Sequence, residues 1–321
     1  MTDKNPSKQK ILVIAGPTAV GKTAFACHAA DEFDGEIISC DSMQIYRGLD
    51  IGTAKPSREE LALHPHHLID IIDPDEEFSA ARYVELARAR INEVAERGKL
   101  PIICGGTGLY LDGIIYEMDY GAGPEDEIFR RTMETVAETE GPTALHKRLK
   151  DRDPLAAEDI HPNNTKRIIR ALERIHLGEE SLKAFSRKKK DNPSVEPLLI
   201  GLERPRKDLY DRINQRVDQM IDGGLIGEVE QLLHGGIGPH KPSMQAIGYK
   251  EIVDYFDGRL DYDASIDRIK TGSRHYAKRQ FTWFRRYDKM KWLDISEYDS
   301  DEKAMEAMDQ LISEWLEGQD L

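Results

Sequence analysis

Cysteine is scarce in this chain of 321 residues: there are three, Cys27, Cys40 and Cys104. The number is odd, and the spacings match neither a metal-ligand pattern nor a disulfide framework. Two of the three stand inside apolar runs, which suits buried free thiols. No stretch of about 18 apolar residues occurs, so nothing reads as a membrane span. Met1 to Lys10 is polar and lacks the apolar centre of a secretory leader. A soluble, cytoplasmic protein without a membrane partner is therefore expected. Repeats and low-complexity stretches are missing too, apart from the short basic run Arg187 to Lys190. A basic excess is also lacking. The formal net charge is −14, which as an average argues against a nucleic-acid partner, because phosphate repels acidic surface.

The average hides a segregation. Lys166 to Lys190 holds nine basic residues against three acidic ones, a net +6. Arg268 to Lys291 holds nine against Asp288 alone, a net +8. The acid lies elsewhere: Trp292 to Leu321 has ten carboxylates and one lysine, the composition of a solvated amphipathic helix.

The length suits one large domain or two. Ile11 to Ala15 is a short apolar run ending at a glycine, and Ala24 to Phe33 continues with helical spacing, so the chain opens strand, loop, helix. Further buried strands are predicted at Glu36 to Cys40, Leu68 to Ile72, Pro101 to Cys104, Pro197 to Leu202 and Lys291 to Ile295. Ser79 is placed to cap a helix running to about Arg97, with Gly98 at its end. Strands alternating with helices argue for a parallel α/β sheet flanked by helices. Between Tyr120 and Asn192 the strand signal disappears and helical spacing takes over. The expected organisation is an α/β core from 1–119 and 193–321 with an inserted all-helical domain, 120–192. Long helices are predicted from Lys207 to Ile221 and from Asp263 to Arg286.

Gly16-Pro17-Thr18-Ala19-Val20-Gly21-Lys22-Thr23 fits the P-loop pattern, directly after a strand and before a helix. Successive backbone N–H groups and the positive helix end cradle phosphate oxygens, Lys22 supplies a point charge, and the Thr23 hydroxyl can ligate Mg²⁺. The fold expected is thus P-loop NTPase-like, of the kinase-like kind. The second strand ends at Asp41, at the edge of the sheet where α/β folds bind ligands. Its preceding residues, Ile37, Ile38, Ser39 and Cys40, match poorly to a nucleotide hydrolase's Mg²⁺-holding strand. The carboxylate is either a general base or a helix N-cap. His64, His66 and His67 do not complete a zinc set at any recognised spacing, and with Pro65 they read as a structural turn.

Gly16 to Thr23, followed by Asp41-Ser42-Met43-Gln44-Ile45-Tyr46-Arg47-Gly48-Leu49-Asp50-Ile51-Gly52-Thr53-Ala54-Lys55-Pro56, resembles the tRNA dimethylallyltransferase (tRNA isopentenyltransferase) family of bacterial type. The later motifs agree: Pro65 to Asp70, Gly105 to Tyr110, Asp208 to Met220, Gln245 to Glu251 and Tyr276 to Phe284. Together they span nearly the whole chain in order. Ser273 stands where the family usually has threonine, and nothing resembles the zinc finger of eukaryotic members. No contact carries over in Gly121 to Arg131.

The resemblance implies transfer of a dimethylallyl group from its diphosphate to N6 of adenosine 37 of tRNAs that read codons beginning with U. It implies Asp41 as the base, Lys22, Thr23 with Mg²⁺ and Arg216 as the groups that bind the leaving diphosphate, and a monomer. Without the resemblance, Arg216 reads as a surface helix arginine paired with Asp218 or Glu230. RNA contacts are expected at Asp41, Ser42, Met43 and Gln44, at Thr107, which lies near either the diphosphate or the base, and at Lys166, Arg167 and Arg170 of the inserted domain. They are also expected at Gln245, Gly248 and Tyr249 and at Arg274, Lys278, Arg279 and Gln280. On the helix from Asp263, the basic side chains interleave with Tyr276, Trp283 and Phe284, the mixture of charge and stacking surface that holds single-stranded RNA. Trp283 and Phe284 are equally suited to packing inward. A prenyltransferase acting on free AMP or ATP, a small-molecule kinase and a non-catalytic RNA-binding NTPase share many of these features. The two basic segments favour a macromolecular acceptor.

Overall fold

The structure is a computed structural model that describes residues 8–118, 126–178 and 190–318. Arg187 to Lys189 and the stretch 119–125 lie outside the described residues. In chain order the elements are β1 (Gln9–Ala15), α1 (Lys22–Glu32), β2 (Gly35–Cys40), α2 (Arg58–Leu63), β3 (His66–His67), α3 (Ala80–Glu96), β4 (Leu100–Gly105) and α4 (Gly108–Ile115). The helices α5 (Glu127–Thr139), α6 (Pro142–Arg152), α7 (Pro154–Asp159) and α8 (Thr165–His176) follow. Then come β5 (Val195–Glu203), α9 (Arg206–Asp222), α10 (Leu225–His234), α11 (Tyr249–Phe256), α12 (Tyr262–Phe284), β6 (Lys291–Asp294) and α13 (Asp301–Leu316). The chain divides into two compact units, Met1–Ile115 with Asn192–Leu321, and Tyr116–Asp191.

In the first unit six strands form a sheet in the order β3-β2-β4-β1-β5-β6, with every neighbouring pair parallel. Its central strands are apolar on both faces, as a sheet covered on two sides requires; Ile11, Leu12, Ile14, Ile37, Ile102 and Ile200 are essentially inaccessible. The acidic C-terminal segment forms α13, which lays Ala304, Met308, Ile312 and Trp315 into the core beside Phe25, Ala26 and Ala29 of α1. Its Asp309 reaches back to His28 of α1 (2.7 Å), while Glu302, Glu306 and Glu317 are exposed. The Ser79 hydroxyl accepts the Arg82 N–H at the start of α3, and Gly98 follows its end with φ 76°.

The predicted strand Leu68 to Ile72 does not form. Leu68 and Asp70 have φ of 63° and 54°, the left-handed region, which interrupts any ladder. Strand pairing with β2 is confined to His66–His67, and Ile72 makes an isolated bridge with Tyr46. Lys55 holds this irregular stretch: its ammonium donates to the Tyr46 carbonyl (2.6 Å) and pairs with Asp50 (2.6 Å) and Asp70 (2.5 Å). Glu228 of α10 holds the other side, accepting the N–H groups of Asp50 (2.9 Å), Ile51 (2.8 Å) and Gly52 (3.2 Å).

In the second unit α5 to α8 pack around Leu145, Leu149 and Ile168, and no strand occurs among its described residues. Glu173 is fully buried. It accepts the Asp126 N–H (2.8 Å) and pairs with Arg130 (2.9 Å) and Arg170 (2.6 Å). Burial alone would raise its carboxyl, but these donors hold it below its ordinary value.

The register sets where the strands end. Ala15 pairs with Gly105, and Gly105 pairs with Cys40, so β1, β4 and β2 finish on one rung. A Cβ at Gly105 would overlap the Cys40 carbonyl. Gly105→Ala should therefore destabilise the protein by about 1–3 kcal/mol, the usual cost of overpacking. Gly227→Ala, inside α10 where a Cβ would meet nothing within 4 Å, should stabilise it by about 0.5–1 kcal/mol. Urea midpoints compare the two. An unchanged midpoint for Gly105→Ala would contradict the close approach.

Candidate functional site

Because three strands end on one rung, the loops that follow them leave the sheet side by side. They carry Gly16 to Thr23 after β1, Asp41 to Gln44 after β2, and Gly106-Thr107 after β4.

In the first loop Ala19 adopts φ 65° and Gly21 φ 117°, conformations that turn the chain back before α1. Alanine pays for this where glycine would not, and the loop is braced from outside. Arg212 Nε donates to the Ala19 carbonyl (3.0 Å) and Arg204 Nε to the Val20 carbonyl (3.2 Å). The Thr18 N–H donates to Gln280 Oε1 (2.8 Å). Helix α1 begins at Lys22 with no side-chain cap, so its first-turn N–H groups are left for a ligand.

Lys22 Nζ donates to the Pro17 carbonyl (2.8 Å). Burial pulls its ammonium down to about 8, with Arg216 acting in the same direction and Asp41 opposing. Arg216 is itself lowered by burial and supported by Asp41. Lys22, Asp41 and Arg216 thus share one electrostatic environment although they come from α1, the β2 edge and α9. Asp218, the carboxylate nearest to it in sequence, is paired with Lys270 (2.6 Å), and the charge that supports Arg216 is that of Asp41.

Asp41 heads a turn, not a helix. Its Oδ1 accepts the Met43 N–H (2.9 Å), while the Ser42 N–H donates to Thr107 Oγ1 (3.0 Å) and the Thr107 N–H to the Cys40 carbonyl (3.0 Å). Thr107 therefore joins the Asp41 loop to the end of β4. Tyr276 of α12 reaches the same place: its phenol is raised by burial and by the Asp41 charge, while its hydrogen bond to Thr107 works against them.

Several expected RNA contacts are committed inside the protein. Tyr249 is fully buried and its hydroxyl donates to Glu228 (2.5 Å), so its ring supports the 50–52 loop and presents no stacking face. Gly248 is buried beside it as the N-cap of α11, while Gln245 stays exposed. Gln280 is 5 % exposed, and both ends of its amide are bonded within the protein. Gln44 accepts from Ser39 Oγ (3.0 Å) and donates to the Thr53 and Ala54 carbonyls (3.4 Å each). Arg170 is tied to Glu173, whereas Lys166 and Arg167 are exposed. Arg274 donates to Asn214 (2.6 Å) and Thr271 (2.9 Å). Lys278 and Arg279 are exposed on α12. With His275, Thr282, Trp283 and Arg286 they line a cavity of about 520 Å³. Arg286 lies 4.0 Å over the Trp283 ring, and Phe284 is packed in the core.

The comparisons decide the family. The model for IPP transferase matches residues 44–287. The chain belongs to that family. It is 46 % identical over 312 residues to the tRNA dimethylallyltransferase of Caldanaerobacter subterraneus, covering 96 % of this chain and 98 % of that one. Among solved structures it is similar to the full-length tRNA isopentenylpyrophosphate transferase of Bacillus halodurans, with TM-score 0.73, 46 % identity and coverage of 97 % and 98 %. It is also similar to a eukaryotic dimethylallyltransferase acting on tRNA, with TM-score 0.82, 28 % identity and coverage of 98 % and 81 %. The IPP transferase relatives and the six-stranded parallel sheet agree on a P-loop NTPase-like fold.

Arg204 and Arg212 stand outside the residues expected at the site from sequence. Both carried a signal: Arg204 follows the strand beside β1, and Arg212 precedes Arg216 by one helical turn, hence on the same face. The three histidines have partners of their own, His64 on Asp31 (3.0 Å), His66 on the His64 carbonyl (2.7 Å) and His67 on Glu36 (2.7 Å). Burial pushes the free thiols of Cys40 and Cys104 up to about 12 and that of Cys27 to about 11, which keeps them protonated and poor nucleophiles. No helix among the described residues is long and apolar enough to cross a membrane.

Lys22 is charged below about pH 8 and loses its proton above, so the loop's attraction for an anion should weaken as pH rises through that value. Affinity for inorganic pyrophosphate, measured by calorimetry on either side of pH 8, should fall about tenfold, the scale of one charge-assisted hydrogen bond. Lys22→Arg, which stays charged, should remove this limb. Parallel profiles for both proteins would contradict the assignment.

Proposed function

We propose that this chain transfers a dimethylallyl group from dimethylallyl diphosphate to N6 of adenosine 37 in tRNAs reading codons that begin with U, giving N6-(dimethylallyl)adenosine and diphosphate. The observation that carries the reading is the rung at which β1, β4 and β2 end. It sets a phosphate loop beside an aspartate and a threonine, with Lys22, Arg216 and Asp41 in one environment.

The leaving group is diphosphate. As the allylic C1–O bond breaks, negative charge grows on its oxygens, and the N–H groups at the start of α1, the Lys22 ammonium and the Arg216 guanidinium are aimed at that charge. Thr23, the second residue of α1, offers a hydroxyl to a metal, and such a hard oxygen donor suits Mg²⁺, which takes one or two protein oxygens and completes its shell with water and substrate phosphates. Bound there, Mg²⁺ would neutralise phosphate charge.

The exocyclic amine of adenine is a weak nucleophile because its lone pair is delocalised into the ring. It attacks C1 as Asp41 takes the N6 proton. The Met43 N–H fixes one carboxylate oxygen of Asp41 and so its orientation. The target base must leave the anticodon stack to reach this pocket. Thr107 and Tyr276 stand next to Asp41 and serve as the walls that orient it. Exposed Lys278 and Arg279, together with Lys166 and Arg167 of the helical unit 116–191, supply contacts to RNA phosphates. The protein acts in the cytoplasm as a monomer.

Mass analysis of nucleosides after incubation with dimethylallyl diphosphate, Mg²⁺ and either unmodified tRNA or AMP tests the reading. Added C5H8 on tRNA adenosine is expected. Modification of AMP alone, or phosphate transfer from ATP, would overturn it. In the same assay Asp41→Ala should lower turnover by about two to four orders of magnitude, the worth of a positioned general base, with tRNA affinity retained.

A further inference from the structure

A buried side chain of helix α12 hydrogen-bonds the phosphate loop. Gln280 is 5 % exposed. Its Oε1 accepts the Thr18 N–H (2.8 Å), and its Nε2 donates to the Gly106 carbonyl (3.0 Å). Gly106 offers no room for a side chain, since a Cβ there would collide with Gln280 Nε2. The amide therefore fills the gap between the loop after β1 and the loop after β4.

We propose that Gln280 is a positioning residue for the phosphate loop, holding Thr18 in place so that the left-handed turn at Ala19 presents the following N–H groups to the diphosphate. The proposal rests on the reading of that loop as a diphosphate site. Thr18 precedes Ala19, whose φ of 65° is costly for a residue with a Cβ. Such a conformation persists only where its surroundings enforce it. Three successive residues are each held by a distant side chain: Thr18 by Gln280, Ala19 by Arg212 and Val20 by Arg204. Gln280 is the member of this set that must donate and accept at once. A carboxamide does both. Glutamate keeps the acceptor but loses the donor and sets a negative charge beside a site for anions. Methionine keeps the volume and loses both bonds. The same amide, locked on two partners inside the protein, is not offered to RNA, although Lys278 and Arg279 immediately before it are exposed.

Gln280→Met and Gln280→Glu test this against the full-length protein. For Gln280→Met, affinity for inorganic pyrophosphate with Mg²⁺ should fall about tenfold, the scale of a lost buried hydrogen bond. The KM for dimethylallyl diphosphate should rise in step, with kcat less affected. Affinity for an unmodified anticodon stem-loop should stay within about twofold of the unaltered protein. Gln280→Glu should weaken pyrophosphate binding further, since it adds repulsion. Amide exchange gives a readout that does not depend on a variant folding: the Thr18 N–H should be protected in the unaltered protein, and protection should be lost in Gln280→Met. Fast exchange at Thr18 in the unaltered protein would overturn the proposal. So would loss of stem-loop affinity with pyrophosphate binding intact, which would make Gln280 an RNA contact. If the unaltered protein bound no pyrophosphate, the diphosphate reading itself would fall and carry the proposal with it, and that failure shows before any variant is made.

Discussion

The site depends on a close backbone approach. At Gly105 two strands come so near that only hydrogen fits between β4 and the Cys40 carbonyl. This contact ends β2 and β4 level with β1 and puts a carboxylate next to a phosphate loop. An aspartate at the end of a strand is common; one held beside a lysine desolvated by burial and an arginine from a helix far along the chain is an arrangement with chemical use. Each of these cations is costly to bury without an anion, and burial lowers both Lys22 and Arg216, so the arrangement favours a ligand with negative charge.

Rigidity is supplied from a distance. The loop's own sequence, with alanine where φ is positive, does not favour its conformation. Side chains from the end of β5, from α9 and from α12 hold its peptide groups, and Glu228 does the same for the 50–52 loop. A site braced in this way keeps its N–H groups aimed before substrate arrives, which is what electrostatic stabilisation of a leaving group requires. Charge is divided likewise. The acid gathers on surfaces such as α13, leaving a basic face on α12 despite a net charge of −14.

Much of this was legible in the residues. Buried strands announced themselves as short apolar runs, and the strand, loop and helix around Gly16 to Thr23 followed from the spacing of glycine and apolar residues. What failed did so for physical reasons. Leu68 to Ile72 is apolar enough for a strand, but two left-handed residues break it, and composition does not report φ. Gln280 and Tyr249 sit in motifs rich in polar and aromatic residues, and helical periodicity assigns a face without saying whether that face meets solvent or a neighbouring loop. Arg170 is paired with Glu173, an acid whose burial only the fold reveals. Gln44 likewise spends its amide on Ser39, Thr53 and Ala54.

If the braced loop grips the diphosphate, Asp41 should face the carbon it leaves. An analogue of dimethylallyl diphosphate with sulfur in place of the bridging oxygen marks the leaving atom by its anomalous scattering in a crystal. The account predicts the phosphates on the N–H groups at the start of α1 and the sulfur between Lys22 and Asp41. Phosphates bound away from this loop, or an allyl chain directed away from Asp41, would contradict it.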